Sequence, residues 1–420
     1  MYDLSYNKPV VQKYGGTSVG SVERIGAIAE RIKDQVNGGF NKIAVVVSAM
    51  SGETNRLVDL VRQINPQASA KNYDMAVSAG EQVSAALMAA ALERVGIKSR
   101  GFLAYQLGLK TDSLHSKARI HSIDTAKISD AWEEGLIPVI AGFQGVTDEM
   151  EITTLGRGGS DTSAVALAVA LGAGFCEINT DVDGVFTADP RYVEGAHLAE
   201  LMDFEVALEM ASLGSKVLHC RCVELGAKYN MPIVVRNTFT KNDHRRTKIM
   251  SFSEEQKLEA PVVSGITLDR NIARVAVSGF GYGSGIISGM FERIAKLGIN
   301  VDIIVHNRSN DDSPMRIGFT IAKIDTDQSV DCLKSWAKEM ELNDLAIEVE
   351  DKLAKVSAVG LGMQSHSGVA SRTFSVLAEA GIEIHMISTS EIKISMVVEE
   401  SYADKAAQIL HDTFVVPKSN

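Results

Sequence analysis

A glycine-rich segment with a lysine at its start could bind a phosphorylated ligand. It runs from Lys13 to Ser18, between an apolar run and a helical pattern. Glycines allow a polyphosphate to approach the backbone, while the Lys13 ammonium and N–H groups at a helix start attract anions. The spacing differs from the Walker loop and from the dinucleotide fingerprint. Phosphate binding and an ordinary turn both remain open for this segment.

Two further segments place hydroxyl and guanidinium groups near glycines. Ser48 to Asn55 ends an apolar run, where its hydroxyls could cap a helix or could bind a phosphate or a carboxylate. The other segment carries Arg157 between Gly156 and Gly158 at the start of a predicted helix. Packing does not explain an arginine there, and a planar guanidinium fits a bidentate grip on a carboxylate. Asp161 could cap this helix, or it could hold a lysine or the attacking group.

A fourth segment, Thr180 to Arg191, follows an apolar run with paired carboxylates. Its spacing resembles a calcium loop, but no Glu stands at the twelfth position from Asp181, so calcium binding is not expected. Asp181 and Asp183 suit contacts with a ribose and a base, and Arg191 suits a phosphate. Lys216 is a second candidate cation for a transferring phosphoryl group, although by itself it would be an ordinary surface lysine.

These segments need a scaffold that brings their ends together. Residues 8–250 alternate β-branched runs with longer helical patterns, which is typical of an α/β fold with a largely parallel central sheet. Ligands bind such sheets outside the carboxyl ends of the strands, where the charged segments fall. The predicted elements are strands at Val10 to Lys13, Ile43 to Ser48, Ile137 to Ala141, Phe175 to Thr180 and Pro232 to Arg236, and helices at Val22 to Asn37 and Asp161 to Leu171.

An internal repeat occupies the last third of the chain. Residues 241–259 are charged with little apolar periodicity, which predicts a solvated connection before the repeat. The run Arg274 to Gly281 is then matched by Lys355 to Gly362. Each copy predicts a strand, a glycine-rich turn, a helix and a strand. The helices are predicted at Ile286 to Lys296 and Val369 to Glu379, and the strands after them at Asn300 to His306 and Glu383 to Ser388.

Composition and charge exclude several classes of protein. The 420 residues are 45% apolar and 23% charged, which is ordinary for globular proteins, and this length suggests two or three domains. A formal charge of −11, spread along the chain, argues against nucleic acid or an anionic membrane as a partner. Met1 to Val11 lacks a signal or transit pattern, and the longest apolar stretch, Ser163 to Cys176, is too short to span a bilayer. Four poorly spaced cysteines predict neither a disulfide framework nor a zinc site, so a cytoplasmic location is expected.

Taken in order, these segments resemble the aspartate kinases of the amino-acid kinase family. The family's Lys-aromatic-Gly-Gly-Thr-Ser, Gly-Arg-Gly-Gly-Ser-Asp and Thr-Asp-Val-Asp-Gly signatures are met at Lys13 to Ser18, Gly156 to Asp161 and Thr180 to Gly184. Shorter matches lie at Ser78 to Glu81, Gly214 to Lys216 and Ser388 to Ile392. The repeat resembles a tandem pair of ACT domains, which sense small ligands. The resemblance covers essentially the whole chain and implies an amino-acid-kinase fold followed by two ferredoxin-like ACT units.

The resemblance also implies a role for each candidate residue. Arg157 would bind the aspartate α-carboxylate and Glu81 its ammonium, whereas without the family pattern Glu81 would be interpreted as a solvated helix residue. The residues implied to bind aspartate are Ser48, Thr54, Glu81, Arg157 and Ser160. Those implied to bind ATP are Lys13, Gly15, Gly16, Ser18, Thr180, Asp181, Asp183, Phe186, Arg191, Lys216 and Val217. Catalysis would depend on Lys13, Asp161 and Lys216.

In similar enzymes the first ACT unit is inserted into the second. A strand near 262–268 is therefore expected to pair with residues of the second unit, 346–420. This gives a catalytic domain at 1–250, a linker and first ACT domain at 251–345, and a second ACT domain at 346–420. Lysine, threonine or both are expected as effectors, with a homo-oligomer formed through the ACT domains. Phe186 stands where the family usually has Tyr, and Ser284 and Ser367 replace prolines, which leaves the choice of effector open. The implied effector residues are Gly281, Ser284, His306, Ser365 and His366.

The implied reaction is MgATP-dependent phosphorylation of the aspartate side chain to 4-phospho-L-aspartate, the first step toward lysine, threonine and methionine. The attacking carboxylate has a reference pKa of about 3.9, so no general base is required. Mg²⁺ would be held mainly by the nucleotide phosphates, with no metal site in the protein. Two alternatives stay open, a kinase for another small acidic amino acid and a catalytically silent ACT sensor. Lys13, Arg157, Asp161 and Lys216 are all present, which argues against the second.

Overall fold

The computed structural model describes residues 8–215, 217–240, 245–258, 260–280, 284–307, 315–363, 366 and 368–415. These residues form two compact units that alternate along the chain. The first unit is drawn from Met1–Phe186, Leu198–Ser212 and Lys216–Gln256. The second unit is drawn from Thr187–His197, Leu213–Ser215 and Lys257–Asn420.

The first unit is built on an eight-stranded sheet and a smaller four-stranded sheet. Its strands are β1 Val10–Tyr14, β2 Ile43–Val47, β3 Ser99–Phe102, β4 Lys110–Thr111, β5 Ile120–Ser122, β6 Ile137–Ala141, β7 Gln144–Val146, β8 Ile152–Thr154, β9 Phe175–Thr180, β10 Leu201–Asp203, β11 Ile233–Asn237 and β12 Arg246–Met250. The large sheet has the order β10-β12-β11-β9-β1-β2-β6-β3, and the small sheet has the order β5-β4-β7-β8. In the large sheet only the β11–β12 pair is antiparallel.

Helices cover this sheet and bury its strands. They are α1 Val22–Asn37, α2 Glu53–Ile64, α3 Ala70–Val77, α4 Ala79–Arg94, α5 Ala126–Glu133, α6 Gly159–Ala170, α7 Phe204–Ser212, α8 Cys220–Lys228 and α9 Glu254–Leu258. Strands β1 and β2 are buried along their whole length, as expected for parallel strands with a layer on each face. Helix α1 begins where the Ser21 hydroxyl accepts from the Arg24 N–H, and it buries Ile25, Ile28 and Ile32 on one face.

One described stretch, Ala70–Arg94, is long and apolar enough to cross a membrane by composition, but half of it is buried inside the protein. It comprises α3 and α4, and Met88 and Leu92 of α4 are fully buried in the core of the first unit. Helices in a protein core are often apolar enough to meet this criterion, and α3 and α4 pack as core helices.

The predicted strands and helices of the first region are confirmed, with ends that differ by two residues at most. The prediction of a solvated connection over 241–259 is wrong for β12, which lies between β10 and β11 in the sheet. In β12 Thr247 and Ile249 are fully buried and alternate with Arg246 and Lys248. Alternation of buried and exposed residues with a period of two is typical of a strand. The composition of the segment does not reveal it, because the exposed positions are charged.

The second unit carries both repeats on one antiparallel sheet. Its elements are β13 Gly265–Phe280, α10 Ser284–Lys296, β14 Ile304–Asn307, β15 Met315–Ala322, α11 Thr326–Glu339, β16 Ala346–Val359, α12 Val369–Glu379, β17 Met386–Thr389, β18 Lys393–Glu399 and α13 Ala403–Phe414. The order is β14-β15-β13-β16-β18-β17. The start of β13, Gly265 to Asp269, pairs with the end of β16, and its later part pairs with β15 and with the start of β16. The repeats therefore share a sheet through these two long strands.

Each repeat has its own core. Met290, Ile294 and Trp336 pack on the side of α10 and α11, whereas Leu377 and Leu410 pack on the side of α12 and α13. Both predicted repeat helices are present, but β14 and β17 are shorter than the strands predicted there and begin three or four residues later. The three domain ranges inferred from the sequence stay a prediction.

The repeated glycines have a steric reason. A Cβ at Gly279, where φ is +85°, would lie 1.8 Å from the Asp344 carbonyl oxygen, and a Cβ at Gly360 would lie 2.1 Å from that of Val262. No side chain can occupy either position without moving the neighbouring backbone. The matching glycines thus mark the same close approach in both copies.

Candidate functional site

A large cavity in the first unit gathers eight of the residues predicted from the sequence. Its volume is about 1570 Å³. Strands β1 and β2 end at this cavity, and helices α2, α4 and α6 begin there. Helix N-termini carry partial positive charge, so three of them converging on one cavity favour anionic ligands. The predicted residues that line it are Lys13, Gly16, Ser48, Thr54, Glu81, Arg157, Ser160 and Asp161.

A buried ion pair marks one part of the cavity. Lys13 Nζ lies 2.5 Å from Asp161 Oδ1, and the two side chains are 10% and 13% exposed. The capping alternative for Asp161 is wrong, because Gly158 is the N-cap of α6 and Asp161 lies in the first turn. Asp161 therefore holds a lysine, the other possibility raised by the sequence. The pair fixes the Lys13 ammonium at the end of β1.

The glycine segment after β1 packs closely against the segment after β2. A Cβ at Gly16 would lie 2.9 Å from the Ala49 carbonyl oxygen, and the Ser51 N–H donates to the Gly16 carbonyl at 3.1 Å. Helix α2 is capped by Gly52 without a side-chain bond, so neither Ser48 nor Thr54 is its cap. Both residues line the cavity instead.

Glu81 is a buried carboxyl group in the first turn of α4, with 3% of the residue exposed. Its Oε1 accepts from the Ala49 N–H at 3.0 Å, and its Oε2 has no hydrogen-bond partner among the described residues. Burial raises the pKa of Glu81 to about 7, against the opposing effect of the Ala49 hydrogen bond. A cationic group entering the cavity would satisfy Oε2 and favour the ionised form.

Arg157 lies on a turn between Gly156, with φ +80°, and Gly158, with φ +66°. Its side chain is exposed to the cavity and forms no ion pair with any described residue. A Cβ at Gly158 would lie 2.3 Å from the side chain of His219, which also lines the cavity. The turn thus needs glycine for two reasons, and it presents an unpaired guanidinium that can bind a carboxylate.

A smaller cavity of about 380 Å³ lies beside the Thr17–Ser18 end of the glycine segment. The Ser18 and Thr238 hydroxyls are 2.6 Å apart, and the Thr180 hydroxyl donates to Asp181 at 3.1 Å. Asp183 forms an ion pair of 2.8 Å with Arg245. The cavity is lined by Thr17, Ser18, Arg24, Asp181, Asn237, Phe239 and Thr240.

Other predicted residues lie apart from these cavities or outside the described part. Arg191 belongs to the second unit and is exposed, with its guanidinium on the Asp189 carboxylate at 2.6 to 3.1 Å. Phe186 pairs with Leu198 in an isolated bridge, and Val217 is partly buried. Lys216 lies outside the described residues.

The candidate effector residues are described only in part. Gly281 and Ser365 lie outside the described residues, and Ser284 begins α10. His306 is exposed on β14. His366 is exposed, and its Nδ1 lies 2.9 Å from the Gly362 carbonyl oxygen.

Two residues at the large cavity could not be predicted from the sequence. Phe143, which follows β6, has φ +66° and lies where a Cβ on Gly159 would be 2.7 Å from its ring. Arg221 of α8 donates to two loop carbonyls, and it stands between Cys220 and Cys222 in the sequence. Phe143 and Arg221 both contact the backbone of other segments. A pattern of side-chain types along the sequence does not reveal such contacts.

Comparisons with known proteins show the family to which the chain belongs. Residues 8–237 match the model of the amino acid kinase family, and residues 356–414 match an ACT domain model. An aspartate kinase of Stutzerimonas stutzeri is 46% identical over 405 residues, covering 96% of this chain and 97% of its own length. Aspartokinase 2 of Bacillus subtilis is 45% identical over 409 residues, covering 97% and 98%.

Solved structures show the same similarity. The structure of E. coli aspartokinase III in complex with aspartate and ADP matches with a TM-score of 0.77 at 25% identity, covering 96% of this chain and 99% of that one. The same enzyme in complex with lysine and aspartate matches with a TM-score of 0.75 at 26% identity, covering 97% and 100%. The chain therefore belongs to the aspartate kinases of the amino-acid kinase family, enzymes that use ATP to phosphorylate aspartate and that carry ACT domains.

Proposed function

We propose that aspartate binds in the large cavity with its α-carboxylate on Arg157 and its ammonium on Glu81. The observation that carries this proposal is the buried, unpartnered Glu81 Oε2 in the same cavity as the unpaired Arg157. A free amino acid presents one anionic and one cationic group at its α-carbon, which matches this pair of charges. Ser48, Thr54 and Ser160 supply hydroxyls to the same cavity and complete the substrate site.

The nucleotide phosphates bind along the glycine segment in this proposal. Lys13, Gly15, Gly16 and Ser18 are assigned to the phosphates, because Lys13 and Gly16 line the large cavity and Ser18 lines the small one. The nucleoside is assigned to the side of the small cavity, where Ser18 and Asp181 are found. The remaining nucleotide contacts are proposed from the family resemblance alone, at Thr180, Asp183, Phe186, Arg191, Lys216 and Val217.

Phosphoryl transfer then requires positioning and charge neutralisation. An oxygen of the ionised aspartate side chain forms a bond to the γ-phosphorus, and the bond to the β,γ-bridging oxygen breaks, which releases ADP and leaves 4-phospho-L-aspartate. Arg157 and Glu81 hold the α-carbon so that the side chain points at the phosphate. Lys13, which Asp161 keeps in place, offsets the charge that develops on the phosphoryl oxygens, and Lys216 is assigned the same role.

Mg²⁺ fits this site only together with the nucleotide. No group of three carboxylate, imidazole or thiolate side chains that could hold a metal is found among the described residues. Mg²⁺ commonly binds through substrate phosphates with few protein ligands. When bound in this way it would neutralise charge on the β- and γ-phosphates.

The site assignment is tested with Lys13→Ala and Arg157→Ala. Each change removes one electrostatic partner of the reacting groups, so turnover should fall roughly 100-fold to 1000-fold, as for oxyanion donors. The product is trapped as a hydroxamate with MgATP and aspartate, and with glutamate in place of aspartate as a test of specificity. Circular dichroism should show an unchanged fold.

Lys33→Ala and Arg100→Ala are matched controls. Lys33 is partly exposed and pairs with Glu30, and Arg100 is exposed and lies over the Phe102 ring; neither lines a described cavity. Both should keep normal turnover. Near-normal turnover in Lys13→Ala or Arg157→Ala would refute the assignment.

Lysine, threonine or both are the proposed effectors, and they would bind to the ACT repeats of the second unit. Support comes from the ACT domain match and from E. coli aspartokinase III, whose structure was solved with lysine. Location in the cytoplasm, assembly into a homo-oligomer through the ACT repeats and a place in lysine, threonine and methionine synthesis belong to the same proposal. Isothermal titration with each amino acid, alone and in combination, should give saturable heat. Silence with both amino acids would contradict it.

A further inference from the structure

Asp74, in the middle of α3, is a fully buried carboxylate that the proposed reaction does not use. Its Oδ2 accepts from the backbone N–H groups of Ser116 and Thr154, at 2.8 and 2.9 Å. Its Oδ1 accepts from the hydroxyls of the same two residues, at 3.0 and 2.8 Å. His115 Nδ1 lies 3.1 Å from Oδ2. A buried charge is stable only with such a set of partners, and these partners come from two separate backbone segments.

Arg221 holds the same two segments by their carbonyl groups. Its Nη1 donates to the Leu155 carbonyl at 2.7 Å, and its Nη2 donates to the Ala118 carbonyl at 2.6 Å. The segments are also joined directly, since the Ala118 N–H donates to the Thr154 carbonyl at 3.0 Å. A planar guanidinium can bridge two carbonyls at a fixed spacing, which a lysine ammonium on a flexible stem does not reproduce.

Asp74 and Arg221 thus hold residues 115–118 and 154–155 together. Asp74 accepts from N–H and hydroxyl groups of these segments, and Arg221 donates to their carbonyl groups. Arg157 follows directly on the second segment. The first segment supports its turn, because a Cβ at Gly156 would lie 2.9 Å from the Ser116 carbonyl oxygen. We infer that Asp74 and Arg221 form a clamp that positions Arg157 for the aspartate α-carboxylate. This inference rests on the proposed role of Arg157 as the carboxylate ligand.

Kinetics of three variants test the clamp. Asp74→Ala removes the acceptor, and Arg221→Lys keeps the positive charge but loses the bridging fork. Each should lower kcat/KM for aspartate about 10-fold to 100-fold, the size expected from a small misplacement of a substrate-binding group. The KM for MgATP should stay within about twofold, because the phosphate segment is not part of the clamp. Asp74→Asn should retain near-normal kinetics, since its oxygen can accept both N–H groups while the Ser116 and Thr154 hydroxyls turn to accept from its amide.

A second readout measures the clamp without any reference to catalysis. Hydrogen exchange of the amides in 115–118 and 154–158 should be faster in Asp74→Ala and Arg221→Lys than in the unaltered protein or in Asp74→Asn. Asp203→Ala is the control, because Asp203 is also buried and accepts backbone N–H bonds, from Glu205 and Phe252, but lines no described cavity. It should lower thermal stability while leaving the KM for aspartate and the exchange of these amides unchanged.

Different experimental results would refute the clamp and the proposed substrate site. A folded Arg221→Lys variant with normal kcat/KM for aspartate and normal exchange would overturn the clamp, even if Asp74→Ala failed to fold. An equal rise in the KM of aspartate and of MgATP would also overturn it, because that result indicates a general loss of structure. If Arg157→Ala keeps normal aspartate kinetics, the proposed substrate site fails instead, and the exchange data alone decide whether the clamp exists.

Discussion

Glu81 shows how one residue obtains its function from burial. A glutamate in the first turn of a helix is ordinarily exposed and ionised, yet here desolvation raises the pKa of Glu81 to about 7. The hydrogen bond from the Ala49 N–H, at 3.0 Å, and one from the backbone of Glu81 itself oppose this effect on the pKa without cancelling it. A substrate ammonium would supply the missing partner and lower the pKa again in the complex. The residue is therefore poised to bind a cation at neutral pH.

This environment predicts a pH dependence. The ionised form of Glu81 binds the ammonium, so kcat/KM for aspartate should rise with pH below about 7 and level off above it. The slope should approach a tenfold change for each pH unit on the acid side. In Glu81→Gln this acid limb should disappear and the plateau should fall. A profile between about pH 5.5 and 8 for both proteins measures the effect, and an acid limb that persists in Glu81→Gln would assign it to another group.

The turn into α6 is the element on which the site depends most. It places Arg157 between two glycines with positive φ, and it fits closely against His219. Sequence spacing alone indicated the glycines, but the steric demand at Gly158 comes from α8, some 60 residues later in the chain. The geometry of this element is therefore set by packing between α6 and α8.

Gly158→Ala should damage the site more than the fold. Its Cβ would collide with His219 at 2.3 Å and would also need φ +66°, so the turn must move and kcat/KM for aspartate should fall about 100-fold. Gly172→Ala is the matched control, because Gly172 has φ +59° but no atom within 4 Å of the added Cβ. It should cost about 1 to 2 kcal/mol of stability without changing the kinetics. Unchanged kinetics in Gly158→Ala would contradict this prediction, because they would show that the turn accepts the added Cβ without moving Arg157.

At the scale of the whole molecule, each unit has its own core and its own tryptophan. Trp132 belongs to α5 of the first unit and donates from Nε1 to the Ile43 carbonyl at 3.0 Å. Trp336 belongs to α11 of the second unit and is fully buried there. The sequence contains only these two tryptophans. Their fluorescence can therefore follow the two units separately.

Ligands of the catalytic site should stabilise the first unit selectively. In Trp336→Phe the remaining Trp132 reports the first unit, and in Trp132→Phe the remaining Trp336 reports the second. Saturating ADP and aspartate bind the folded first unit, and each of them, at 100 times its Kd, contributes about 2.7 kcal/mol to its stability. The denaturation midpoint reported by Trp132 should rise more than that reported by Trp336. Equal shifts would mean that the two units unfold as one.

Most strands and helices, and the positions of the charged loops between them, could be predicted from the sequence. Phe175–Thr180 and Val22–Asn37 appear with the predicted bounds, because β-branched runs and helical periodicity are local signals. Strand β12 was missed, because its apolar positions alternate with charged ones and only the neighbouring strands make them buried. The family signatures likewise depend on short spacings that are visible in the chain.

The surroundings of the side chains at the site depend on the folded chain and could not be predicted from the sequence. The raised pKa of Glu81 requires its burial beside Ala49, 32 residues away. The clamp joins Asp74 to Thr154 across 80 residues and Arg221 to Ala118 across 103. Such partners meet because α3, α4 and α8 pack against segments that lie far from them in the chain, and many of these contacts run through backbone groups that every residue type shares. A local sequence pattern therefore cannot predict these contacts.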